Sequence, residues 1–309
     1  MIEDRNILIT GGGGFIGSNL AESLSKKNKV TIIDNLSTGI EKNIEGLDVE
    51  LVEGSITDLD LLMKVCSGKD FVFHLAALPS VPRSVKEPKL VHEVNATGTL
   101  NVLIASRDAD VNKVVYASSS SVYGDSPTLP KVETMLPNPL SPYAVSKLIG
   151  EYYCNVFSSV YGLPTVSVRY FNVYGPKQNP KGEYAAVIPK FIHRIMNNSP
   201  PIIYGDGEQT RDFTYVKDTV RGTILASETE GVNGVVINIA TGNRITINEL
   251  ARKIGSQMGF DIEPVHEEPR DGDILHSLAD ISQAEKLLGY QPKYRIDDGL
   301  EETISYFIR

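Results

Sequence analysis

The chain has two cysteines, five histidines and no long apolar run, and each scarcity removes a class of function. Cys66 and Cys154 in 309 residues make neither a disulfide framework nor a zinc site. Both are expected reduced and packed, as in a cytoplasmic protein. Five histidines without clustered acids offer no metal site, and His74, at a strand end, reads as packing rather than as a ligand. No stretch approaches the ~20 apolar residues of a membrane span. Glu3, Asp4 and Arg5 precede a short apolar run that meets glycines, the pattern of a first strand and not of a signal peptide. A net charge of -9 speaks against a general nucleic-acid or anionic-membrane surface but leaves room for a local basic pocket. There is no repeat and no low-complexity segment. Met63 and Met258 read as core fillers.

What is present is an alternation. Asn6–Thr10 is a short apolar run, Phe15–Leu24 has helical spacing, and 30–34, 51–53, Phe71–His74, 114–117 and 165–169 are further strand candidates with room for a helix between each pair. Such alternation predicts an α/β fold, a doubly wound parallel sheet of the Rossmann type covered on both faces. After Phe171 the texture changes to Pro, Gly and Asn, with helices expected at 186–196, 218–227, 247–259 and Ser282–Leu288 and a strand at 235–240. The expected division is a nucleotide-binding domain over 1–171, to which about 213–240 returns, and a smaller C-terminal substrate-binding domain over 172–309.

The turn between the first strand and the first helix reads Thr10-Gly11-Gly12-Gly13-Gly14-Phe15-Ile16-Gly17. Glycines there allow a tight turn and let backbone approach a pyrophosphate, while Gly17 lets helix pack on strand and the helix N-terminus faces the anion. The strand–turn–helix setting separates this run from an ordinary glycine turn. Asp34 ends the second strand, where an acid bonds an adenosine ribose 2′-hydroxyl and repels the 2′-phosphate of NADP. The alternative for Asp34 is a cap on the turn Asn35-Leu36-Ser37.

Tyr143 and Lys147 stand four residues apart, so on a helix they share a face. Pro142 suits the first helical turn and Ser141 a cap. A nearby ammonium favours phenolate and makes the tyrosine a usable base. Alone, such a pair is usually a solvated helix face. Ser118, Ser119, Ser120 and Ser121 follow the strand 114–117, at the end where parallel sheets bind ligands, and at least two of them are expected to be turn residues.

Together these pieces resemble the extended short-chain dehydrogenase/reductase family. The carrying motifs are TGGGGFIG (10–17), Asp34, HLAAL (74–78), Asn95, SSSSVYG (118–124), SPYAVSK (141–147), RYFNVYGP (169–176) and GDGEQTRDF (205–213), spanning nearly the whole chain. The resemblance implies an NAD site at Gly11, Gly14, Phe15, Ile16, Gly17, Asp34, Asn35, Ser37, Thr38, Gly39, Ser55, Ile56, Leu75, Ala76, Ala77, Asn95, Tyr143, Lys147 and Phe171. It implies a catalytic group of Ser119, Tyr143 and Lys147.

Within the family the chain is similar to the UDP-glucose and UDP-N-acetylglucosamine 4-epimerases. That implies UDP-sugar contacts at Ser80, Val81, Ser119, Ser120, Ser121, Tyr143, Asn172, Ala186, Val187, Ile202, Tyr204, Arg211, Arg270, Asp273 and Ser277. Arg211 and Arg270 would clamp the diphosphate by bidentate pairing, and Ile202 and Tyr204 would hold the uracil. Ser277 stands where a small residue admits an N-acetyl group and a tyrosine restricts the pocket to plain hexoses. The implied reaction removes the 4-hydroxyl proton to Tyr143 as C4 reduces NAD, rotates the 4-keto sugar, and reverses the step on the other face.

Two positions depart from the family. Ser55 replaces a common Asp near the adenine, and PSVPRS (79–84) replaces a loop that often carries Lys, a form closer to the epimerases that accept N-acetylated sugars. Dehydratases of the family need an acid/base pair, usually Asp-Glu, where Ser120 and Ser121 stand, and decarboxylases usually carry Glu at the second of these positions. UDP-glucuronate 4-epimerase stays open, with Arg83 as the one nearby cation, and a non-catalytic NAD-binding regulator is a further alternative. The resemblance also implies a homodimer through helices near 92–107 and 146–160, the latter carrying Tyr152, Tyr153, Val156 and Phe157, a patch whose alternative reading is core.

Overall fold

In the computed structural model, which describes residues 2–180, 186–260, 263–269 and 274–308, strands with apolar residues on both faces have gathered into one parallel sheet. β1 (Asn6–Thr10), β2 (Lys29–Asp34), β3 (Val49–Glu53), β4 (Phe71–His74), β5 (Lys113–Ser119) and β6 (Thr165–Tyr170) lie in the order 6-5-4-1-2-3. A seventh strand, Val235–Ile239, pairs parallel with β6, as the sequence led us to expect of 235–240. Alternation across the sheet is direct. Ile7 and Ile9 of β1 belong to one apolar cluster with Leu20, Leu24 and Ile224, whereas Leu8 joins Leu62, Val102 and Phe157 in another. Helices Phe15–Leu24 and Val216–Glu228 therefore cover one face, and Leu59–Cys66, Gly98–Asp108 and Pro142–Tyr161 cover the other.

The chain leaves β1 towards β2 and β3 and then returns to β4 on the other side of β1. That reversal opens a crevice beyond the carboxyl ends of β1 and β4. After Phe171, the helices Val187–Met196, Ile247–Met258, Ser282–Leu288 and Ile296–Ile308 are held by two- and three-residue strands. Val173–Tyr174 pairs with Thr214–Tyr215, Ile202–Tyr204 with Val265–Glu267, and Thr210–Arg211 with Ile245–Thr246. The helix at 247 starts on a capping box, Thr246 and Glu249, and stops at Gly259, which has the left-handed φ of 75°.

Two expectations need correction, and one open reading is decided. Met63 is not core: Leu62 and Cys66 take the buried stripe of their helix, and Met63 lies off it, 38% exposed. Met258 does pack against the core. Of the patch on the helix 146–160, Phe157 takes the core alternative, and Tyr153 packs against the same cluster. The expected helix over 92–107 is interrupted by a π-turn, Glu93–Thr97, whose extra residue swings Asn95 inward.

A chain of buried hydrogen bonds joins the crevice to the helix behind it. Ala76 N donates to Thr10 Oγ1 (3.1 Å), which lies 2.7 Å from His74 Nδ1. His74 Nε2 lies 2.9 Å from Thr99 Oγ1, whose hydroxyl donates to Asn95 O (2.5 Å). Since Thr99 spends its proton on Asn95, His74 must donate from Nε2 and accept at Nδ1. Asn95 accepts from Leu78 N (2.8 Å) and donates to Ser146 Oγ, which donates to Tyr143 O. Burial, reinforced by the Lys147 charge, holds His74 down to about 3. An unfolded histidine titrates near 6.5, so between these values the unfolded chain binds the extra proton and folding loses stability as pH falls. Stability to urea should therefore weaken below about pH 6.5 with a slope of up to about 1.4 kcal/mol per pH unit from this residue. His74→Gln should be less stable at pH 7 and show a flatter acid limb; an equally steep limb in the variant would contradict a buried neutral histidine.

Candidate active site

The glycine turn lies at the crevice, and it is glycine for reasons of space. A Cβ on Gly11, which has φ +72°, would stand 2.7 Å from the Ala76 backbone, and one on Gly17 would stand 2.2 Å from Gly11 O. Gly14 begins the helix Phe15–Leu24 with no side-chain cap, leaving its first backbone N–H groups to point outward. Asp34 at the end of β2 accepts from Gly13 N (2.9 Å) through Oδ2 and from Leu36 N (2.9 Å) through Oδ1. It therefore does cap its turn, and each oxygen keeps a second lone pair for a hydroxyl. Asn35 Oδ1 accepts from Ser37 N and Oγ, and Gly39 closes on the Asp34 carboxylate. Thr38 is exposed on this rim.

Across the crevice, Ser55 Oγ bonds Thr57 Oγ1 at 2.8 Å, so the residue that departs from the family closes its own turn. Ile56 is buried against Gly98. Leu75, Ala76 and Ala77 follow β4, with Leu75 N on Thr10 O (3.1 Å) and Ala76 N on Thr10 Oγ1. Phe171 is fully buried beside Tyr123. These residues expected around a dinucleotide thus come from the segments that follow β1, β2, β3, β4 and β6 at one sheet edge.

Ser119 is the last residue of β5 and caps the turn Ser120–Tyr123, accepting from Ser121 N (3.2 Å). Ser141 caps the helix Pro142–Tyr161, accepting from Ala144 N (3.1 Å), as its sequence position implied. That helix sets the Tyr143 hydroxyl close to Ser119, whose hydroxyl acts to hold the phenol's pKa down. Burial raises Tyr143 above its ordinary value, and Ser119 opposes the shift. Lys147 is buried, donates to Ala117 O (2.8 Å) and sits 5.0 Å over the Tyr116 ring. Burial lowers it to about 8, with Glu151 and Cys154 acting in the opposite sense.

Beyond β6, Asn172 holds a strained φ of 35° and donates to Asp212 O (3.1 Å). It lines a cleft of about 540 Å³ with Ala186, Val187, Ile202, Tyr204 and Arg211, six residues that the resemblance had named. Arg211 Nη1 donates to Thr210 O and Leu275 O. Ser277 N donates to Thr210 O (3.0 Å), which sets it beside Arg211. Ser80 lies elsewhere, as the cap of helix Val81–Lys86, and Val81 is exposed. Ser120 and Ser121 form the turn. Arg270 and Asp273 lie outside the described residues. Arg83 is an exposed ion pair with Glu87 (2.7 Å).

Sequence reasoning missed Lys190, His193 and Arg194, which line the same cleft from helix Val187–Met196. Their spacing of three and four residues was the available signal. It also missed Asp212, fully buried, which gathers Thr241 N and Oγ1, Gly242 N and Ala279 N and so ties the Arg211 strand to the Ser277 segment. Burial raises this carboxyl to about 6 against those donors. Among the described residues no group of His, Cys, Asp and Glu could hold a metal ion, and no helix is long and apolar enough to cross a membrane.

Comparison with known proteins agrees with this geometry. Residues 7–240 match the NAD dependent epimerase/dehydratase family. A UDP-glucose 4-epimerase of Mycolicibacterium smegmatis is 38% identical over 307 residues, covering 97% of each chain. The solved UDP-N-acetylglucosamine 4-epimerase from Methanobrevibacter ruminantium M1, in complex with UDP-N-acetylmuramic acid, has a TM-score of 0.96 at 44% identity over 99% of each chain. A UDP-glucuronic acid 4-epimerase from Bacillus cereus, in complex with UDP-glucuronic acid and NAD, gives 0.89 at 34% identity over 98% of this chain and 99% of that one. With its glycine turn, its Ser119–Tyr143 pair and this match, the chain belongs to the NAD dependent epimerase/dehydratase family.

Proposed function

We propose that this chain is a UDP-hexose 4-epimerase that works by transient oxidation at C4 with bound NAD. The observation that carries the reading is one sheet edge with two adjoining sites. β5 and β6 pair Ser119 with Tyr170, so the strand that ends at the Tyr143 partner lies beside the strand that leads into Asn172 and its cleft. The glycine cradle, the uncapped helix start and the Asp34 carboxylate fit a dinucleotide with a free ribose 2′-hydroxyl. In this reading residues 1–171 and about 213–240 hold NAD, and the remainder of 172–309 holds the nucleotide sugar.

NAD, when bound, supplies the two-electron acceptor for C4. Tyr143 takes the proton of the sugar 4-hydroxyl, and Ser119 bonds the same oxygen and steadies the phenol. Lys147 supplies positive charge beside the phenol and donors for the nicotinamide ribose. Asn172, Arg211 and Arg270 grip sugar and diphosphate while the 4-keto sugar turns over, after which Tyr143 returns the proton. The sugar regains what it gave up, so turnover needs no external oxidant. A glucuronate substrate would call for a cation at C6, and Arg83 is already committed to Glu87. Ser277, beside Arg211, leaves room for an N-acetyl group. The enzyme would serve nucleotide-sugar metabolism, including galactose metabolism, in a reducing cytoplasm that suits two buried free thiols.

Tyr152 (59% exposed), Val156 (43%) and Val160 (68%) form an apolar stripe on helix Pro142–Tyr161. We assign it to a homodimer contact with the helices near 92–107. Sedimentation should return a dimer at micromolar protein, and Val156→Asp should shift it to monomer by burying a charge; a monomeric parent protein refutes the assignment.

Incubation with UDP-galactose and with UDP-N-acetylgalactosamine, no NAD added, should yield both 4-epimers. Tyr143→Phe should lower kcat by about 10²–10⁴-fold. No epimer from either substrate, with NAD supplied, would overturn the reading, and conversion of UDP-galactose alone would refute only the open gate at Ser277. Asp34→Asn removes the charge that repels a 2′-phosphate and should narrow the preference for NAD over NADP by about tenfold. An unchanged preference in a nucleotide titration would remove Asp34 from that role.

A further inference from the structure

The chemistry above leaves one fully buried ionic group without a task. Glu151 lies one helical turn beyond Lys147, and the Arg169 guanidinium grips it from β6 with Nε on Oε1 (2.8 Å) and Nη2 on Oε2 (2.7 Å). Ser118 Oγ donates to the same Oε1 (2.5 Å). All three side chains are 3% exposed. Taking a carboxylate and a guanidinium out of water costs several kcal/mol each, and such a pair is often no more stabilising than a well-packed apolar substitute. Its place in the fold is therefore informative.

Ser118 sits between Ala117, whose carbonyl receives the Lys147 ammonium, and Ser119, which lies close to Tyr143. Register pairs Ser118 with Arg169 across β5 and β6, and Glu151 comes from the helix that carries Tyr143 and Lys147. Three elements thus meet at one carboxylate. The network continues outward: Arg169 stacks on the Tyr123 ring (4.5 Å), and the Tyr123 hydroxyl donates to Asn238 Oδ1 (2.8 Å). Asn238 Nδ2 in turn donates to Lys131 O and Asp280 O.

We infer that Glu151, held by Arg169, is a positioning residue that fixes the end of β5 through Ser118 and so sets Ser119 and the Ala117 carbonyl in register with Tyr143 and Lys147. The inference rests on the assignment of Ser119, Tyr143 and Lys147 as the reacting group. Other titratable groups packed around that pair are Cys154 on the same helix, Tyr116 on β5 and His74 on β4. None of them links β5 to the helix at the level of Ser118.

Ser118→Ala tests this without breaking the ion pair, because Glu151 keeps both contacts to Arg169. The chain has no tryptophan, so its near-ultraviolet absorbance comes from tyrosine. The phenolate band of Tyr143 is then read as the difference between the holoprotein and its Tyr143→Phe counterpart. In Ser118→Ala that titration midpoint should rise by about 0.5–1 pH unit as Ser119 and Lys147 lose their placement. kcat should fall about tenfold while KM for the UDP-sugar stays within about twofold. Ser118→Thr should restore both. An unmoved midpoint with unchanged kcat overturns the inference, and so does a loss of kcat that tracks lowered thermal stability and is not restored by threonine. If the unmodified protein turns over no UDP-sugar, the proposed reaction fails while the titration still decides the positioning role.

Discussion

Parallel pairing is the constraint from which the rest of the site follows. Seven strands running in one direction open all their carboxyl ends at one edge, and the chain can place side chains there only through loops. The reversal between β1 and β4 then decides where along that edge a ligand can enter. Gly11, Asp34, Ala76 and Ser119 lie far apart in sequence and become neighbours because each is the end of a strand, or the first residues beyond one. The constraint also gives the turns their composition. Where Gly11 passes 2.7 Å from the Ala76 backbone there is no volume for a side chain, so the turn must be glycine whatever its ligand.

Legibility followed from range. The alternation of β1 to β6 could be read because each strand carries its own burial signal, and the Ser141 cap because its partner Ala144 lies only three residues on. The six cleft residues from Asn172 to Arg211 were named by motif resemblance, not by any physical property of the residues alone. The two- and three-residue strands of the second half escaped because they are shorter than any period that could reveal them. The π-turn at Glu93–Thr97 escaped because one extra residue in a helix leaves no trace in composition. Asp212 and Glu151 escaped for a related reason: each looks like a surface acid in sequence and becomes a buried hub only through partners 18 to 67 residues away.

These buried acids share a logic. An unpaired carboxylate in the interior is costly, so each is surrounded by donors that come from different segments, and the donors are thereby fixed relative to one another. Asp212 fixes the loop at Thr241 and the segment at Ala279 around the Arg211 strand. Glu151 fixes β5 and β6 against the helix of Tyr143 and Lys147. One hub therefore sits behind the cleft and the other behind Tyr143 and Lys147.

The same arrangement bears on charge. Burial pushes Tyr143 up and Lys147 down, so both groups are driven towards their neutral forms, whereas a tyrosine base works best beside a cation. The fold must oppose that drift from within. Ser119 opposes it at the phenol. Glu151 opposes it at the ammonium, because a carboxylate one turn away favours the charged lysine. The two-point grip of Arg169 holds the Glu151 carboxylate in that place. An arginine on β6 thus fixes the carboxylate that acts on Lys147 from one helical turn away.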